Sequence, residues 1–116
     1  MPDDYQSNML AMLDIAGANG IAVVLGGLTP ANGIPWRPEV DPARWLSKLG
    51  AWLEQTAQER CLAFADYHAA LADDQGRLPA QFTRDGVHLT RPGYARMRPV
   101  AMAAIDRALA QGTVKP

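Results

Sequence analysis

Cysteine, histidine and serine are all scarce in this 116-residue chain, and each shortage narrows what it can do. The single cysteine, Cys61, cannot close an internal disulfide, so the fold needs no oxidising compartment. The two histidines, His68 and His88, lack the spacing to Cys, His or Glu partners that a standard metal site uses, and no metal is expected. The only serines, Ser7 and Ser47, fall in stretches that read as helix, without the glycine elbow that exposes a nucleophile. No apolar run approaches the roughly 18 residues of a membrane span. A formal net charge of −1 gives no electrostatic reason to expect nucleic acid or an anionic membrane as partner. The opening Met1-Pro2-Asp3-Asp4 is acidic where a secretory leader would be basic, so the cytoplasm is the default compartment.

What is present reads as one small α/β domain. Hydrophobic residues make up 48% of the chain and charged ones 20%, a balance typical of a globular core with a solvated surface. Tyr5, Met9, Met12, Leu13 and Ala16 recur at three- and four-residue steps and predict a helix over 3–18, ended by Asn19-Gly20. The unalternating apolar run 21–28 predicts a parallel strand buried on both faces. A proline-rich loop from Thr29 to Pro42 follows, in the position where open α/β sheets place their ligands. Its Trp36 either walls a pocket or pins the loop to the body.

Asp41-Pro42 predicts the start of a helix over 42–60 whose stripe of Trp45, Leu46, Leu49, Trp52 and Leu53 belongs to the core. A second short strand is expected over 61–66, with Cys61 as a buried small hydrophobe. His68 opens a short helical turn and reads as structural or surface. A final helix over 91–111 is expected to be interrupted or restarted at Pro99 and stopped by Gly112, leaving a frayed tail over 113–116.

Between these elements lies the loop 83–90, containing Arg84-Asp85-Gly86-Val87-His88-Leu89-Thr90. An Asp three residues before a His in a glycine-containing turn can hold the imidazole Nδ1–H and leave Nε2 facing outward as a base. Taken alone, an Asp-x-x-His pair is a weak signal.

With its flanks it is far more specific. Asp85-Gly-Val-His-Leu-Thr followed by Pro92-Gly-Tyr94 resembles the C-terminal catalytic block of the SGNH (GDSL-type) serine hydrolases. The likeness extends along the chain in family order: the Asn8-Met-Leu-Ala-Met-Leu13 helix, the Gly20-Ile-Ala-Val-Val-Leu-Gly26 strand, the Pro35-Trp-Arg-Pro38 loop and the Ala51-Trp-Leu53 helix. It implies the C-terminal part of a three-layer α/β/α sandwich around a parallel sheet, and an ester hydrolase that needs no cofactor. His88 would be the general base and Asp85 the residue that orients it. Pro35, Trp36 and Val87 become candidates to line the pocket for a small ester. The family's Gly-Asp-Ser nucleophile motif and Gly-x-Asn-Asp oxyanion motif do not occur, and Asn8, Asn19 and Asn32 lack the oxyanion context. The nucleophile is therefore expected on a separate N-terminal segment, and the edge of strand 21–28 is expected to be covered by that companion or by a second copy.

Overall fold

Two three-residue strands carry the architecture: β1 (Val24–Gly26) and β2 (Ala63–Ala65), parallel and in register with Leu25 opposite Phe64. The computed structural model describes residues 3–111, so Gly112 and the tail over 113–116 lie outside it. In chain order the elements are α1 (Asp3–Ala18), β1, α2 (Pro42–Glu59), β2, α3 (Tyr67–Leu71) and α4 (Arg91–Gln111). This is a partial α/β sandwich.

Alternation along the strands divides the helices between two layers. Leu25 and Phe64 face a core made with Leu13, Met9 and Tyr5 of α1 and with Leu49, Leu53 and Ala57 of α2. Ala63 and Ala65 point the other way and are almost fully buried where α4 packs on β2, with Ala104 and Ala108 of α4 equally buried. Small side chains on both surfaces let the helix lie close to the sheet. A second apolar cluster of Leu71, Leu78 and Phe82, flanked by Tyr67, Leu89 and Met97, supports the segment that leads into loop 83–90.

Several sequence expectations are corrected. Strand 21–28 contracts to 24–26, the three residues that lie opposite Ala63, Phe64 and Ala65, while the N–H of Ile21 is committed to the carbonyl of Ala16 in the turn that ends α1. The strand is not buried on both faces either: Val24 is half-buried and Gly26 exposed. Cys61 is exposed and belongs to no strand. Trp45 is 52% exposed although it shares a helix face with Trp52. Trp52, two turns on, is covered edge-to-face by Tyr5, with ring centroids 6.3 Å apart. Pro99 does not break α4, which runs unbroken past it. The carbonyl that loses its helical partner there is that of exposed Ala95, within reach of solvent.

Helices α1 and α2 end in the same way. Ile21 N–H bonds Ala16 O and Gly20 N–H bonds Gly17 O, while Leu62 N–H bonds Ala57 O and Cys61 N–H bonds Gln58 O. Both are Schellman turns, which require a left-handed residue at the first position past the cap. Gly20 fills it at φ 68° without strain, whereas Cys61 fills it at φ 56° with a Cβ in the way. Replacing Cys61 by Gly should raise unfolding free energy by about 0.5–1 kcal/mol, the Cβ penalty less the added chain entropy. Urea denaturation reads this directly, and an unchanged or lower midpoint would show that the turn is unstrained.

Candidate active site

The loop that carries His88 is held from three sides before any catalytic geometry arises. Upstream, Asp73 closes a polar turn by accepting the N–H groups of Gln75 and Arg77 at 2.9 and 3.0 Å, which hold its carboxyl below the usual carboxylate range. Within the loop, buried Thr83 donates its hydroxyl to His88 O at 2.7 Å and accepts Gly86 N–H at 2.9 Å. A lone antiparallel bridge between Thr83 and Leu89 closes the base of the loop. Downstream, Thr90 ties back to Gln81 O through its hydroxyl at 2.7 Å and to Phe82 O through its N–H at 2.8 Å. Gly93 lets α4 start directly on this platform, because a Cβ there would lie 3.0 Å from Phe82 O.

Asn32, in the loop after β1, is a further anchor. Its side-chain amide bonds both backbone groups of Leu78, donating at 2.9 Å and accepting at 2.7 Å. Its own N–H bonds Gly86 O at 2.8 Å. Gly86 is needed twice over: its φ is 88°, and a Cβ would sit 3.2 Å from that of Asn32. Sequence reasoning weighed Asn32 only as an oxyanion donor, and its amide is in fact committed to the backbone. Partners 46 residues away leave no local signal by which this role could be found.

Asp85 then divides its two oxygens. Oδ1 accepts the backbone N–H of Val87 at 2.9 Å and of His88 at 2.8 Å, and Oδ2 accepts the imidazole Nδ1–H of His88 at 2.6 Å. The ring hydrogen bond, followed by the two backbone ones, holds this carboxyl far below its ordinary value. A carboxylate accepts only, so Nδ1 carries the hydrogen and Nε2 presents a lone pair. The His88 side chain is 72% exposed, which leaves Nε2 open.

Of the other predicted site residues, Trp36 is brought against His88, with ring centroids 6.0 Å apart and planes tilted by 31°. Pro35 occupies the turn closed by Arg37 N–H on Ile34 O, next to the exposed Trp36. Val87 enters through its backbone. A depression of about 390 Å³ beside the base is lined by Arg84, Asp85, His88, Leu89, Thr90 and Arg91, and includes none of Pro35, Trp36 and Val87. Ser47 lies instead in a larger cavity of about 480 Å³ under α2, with Glu54, Asp66 and His68. No described serine or cysteine hydrogen-bonds His88, and the described residues contain no cluster of three or more metal-ligating side chains. No described helix is long and apolar enough to cross a membrane.

An Asp-oriented imidazole with an exposed Nε2 is chemically able to accept a proton. The family model of the GDSL-like lipase/acylhydrolase family matches residues 1–96, and the chain belongs to that family. The fold agrees. A GDSL-like lipase from Bacteroides thetaiotaomicron superposes with a TM-score of 0.82 and 34% identity over 92% of this chain and 54% of that one. A candidate acylhydrolase from Bacteroides fragilis gives 0.80 and 32% over 89% and 50%. The chain thus spans about half the length of the solved structures it matches. A comparison with curated proteins returns no match.

Two outcomes follow from this geometry. Because the folded value of Asp85 is depressed, its stabilisation of the loop is complete above the ordinary value of 3.8 and is lost only as pH falls through the lowered one. Carboxyl-carbon NMR should therefore place the Asp85 midpoint well below 3.8, and a midpoint at the ordinary value would mean the three hydrogen bonds do not persist in solution. Thr83→Val, which leaves Gly86 N–H and His88 O without their partner, should cost about 2 kcal/mol in denaturant unfolding.

Proposed function

We propose that this chain supplies the general base of a serine carboxylic ester hydrolase, with His88 as base, Asp85 as its orienting carboxylate, and the nucleophilic serine outside these 116 residues. The observation that carries the reading is the 2.6 Å contact between Asp85 Oδ2 and His88 Nδ1 with Nε2 left exposed. In this mechanism Nε2 takes the serine proton as the serine oxygen attacks the ester carbonyl carbon. The imidazolium then returns that proton to the departing alcohol, leaving an acyl-enzyme. Water repeats the sequence and releases the acid. Asp85 remains ionised throughout and stabilises the imidazolium.

The surface around the sheet supports a companion segment. β2 is the only described strand that pairs with β1. Apolar side chains stand exposed on both layers: Met12, Ile15 and Ile21 at α1 and its exit, and Met102, Ile105 and Leu109 along α4. The same exposed stripes support a second reading, in which copies of the chain associate through them and hydrolyse nothing.

Treatment with a fluorophosphonate followed by intact-mass analysis separates the two. The hydrolase reading expects an adduct on a polypeptide that co-purifies with this chain, and His88→Ala to lower turnover of the pair on the order of a millionfold. Turnover that survives His88→Ala would sink the assignment. A self-associated species that takes up no phosphonate would favour the second reading.

A further inference from the structure

The charge around the base is uneven in a way that selects substrates. Four of the chain's arginines are occupied: Arg37 with Glu39 at 2.6 Å, Arg60 with Asp14 at 2.6 Å, Arg107 with Phe64 O at 2.8 Å, and Arg96 over the Phe82 ring. Arg84 and Arg91 have no ion-pair or hydrogen-bond partner among the described residues, yet both line the depression that holds His88. The one acid in that depression, Asp85, already accepts three hydrogen bonds. Two free guanidiniums thus share the lining with one acid whose acceptors are occupied, and the lining carries a net positive charge. The larger cavity under α2 has the opposite character, with Glu54 and Asp66 and neither Arg nor Lys in its lining.

We propose that the depression beside His88 binds the anionic end of the ester substrate, a carboxylate, sulfate or phosphate carried on its acyl or alcohol part, through Arg84 and Arg91. A planar guanidinium pairs with such oxyanions through parallel N–H donors, and two in the lining of the depression that holds His88 would keep the anion near the imidazole. The assignment rests on the hydrolase reading for what is bound, and its test does not use turnover.

The test is an NMR titration of the unmodified chain, following the His88 ring and the Nε–H signals of Arg84 and Arg91. Monomethyl succinate, an ester with a free carboxylate, should shift all three saturably. Dimethyl succinate, its neutral counterpart, should bind roughly tenfold more weakly, since each exposed guanidinium adds about threefold. In R84Q/R91Q the difference between the two esters should vanish, with the low-field Nδ1–H signal of His88 retained as proof that the loop is intact. If that signal is lost, the single variants R84Q and R91Q are used, each expected to remove part of the difference. Equal binding of both esters, or a preference that survives the variants, overturns the proposal. Binding of inorganic phosphate without binding of the monoester also overturns it, because the arginines would then form an anion site unrelated to the ester. Any of these failures leaves the hydrolase reading to the phosphonate experiment.

Discussion

The candidate site depends on one carboxylate doing two jobs at once. Asp85 closes the turn with one oxygen and aims the imidazole with the other. Backbone shape and imidazole orientation are therefore coupled through one side chain. Three hydrogen bonds also keep the group ionised, so it remains an acceptor whatever charge the imidazole carries. The small size of the loop follows from the same economy of parts. With Thr83 bridging Gly86 and His88 from inside, the short loop presents an oriented imidazole.

Precision at the tip still needs a fixed frame. Asn32 provides it by fastening the loop after β1 to the segment before α4, and it thereby sets Trp36 against His88. The two-stranded sheet supplies the rest. Leu25 and Phe64 anchor one helical layer, and the small Ala63 and Ala65 admit α4 on the other. Since α4 starts on Thr90, its packing against β2 holds the far end of the loop at a set distance from the sheet.

Much of this was legible in the residues and some of it was not, for physical reasons. Local patterns carried well: the stripe of α2, the Asp41-Pro42 start, and the three-residue spacing of Asp85 and His88 all act over one or two turns of chain. Features set by distant partners did not carry. An apolar run shows that residues 21–28 avoid water, but strand length depends on what lies opposite, and only three residues of β2 do. Cys61 looked like a core residue by type, while its position past a helix cap put it in the solvent. Trp45 and Trp52 share a helix face, and only the reach of Tyr5 distinguishes them. Asn32 escaped for the same reason, its partners being fixed by the fold and not by its neighbours.

The two edges of the sheet differ in kind. Ala65 turns its carbonyl inward to Gly27, so that of Phe64 points out of the sheet, where the Arg107 guanidinium from α4 holds it. That side is blocked by a charge, whereas the side of β1 carries no such guard among the described residues. The hydrogen bond from Arg107 also ties α4 to β2 through the backbone, beside the packing of Ala104 and Ala108 on Ala63 and Ala65. The arginine that caps the Phe64 carbonyl thus takes from this edge one of the acceptors that a further strand would need.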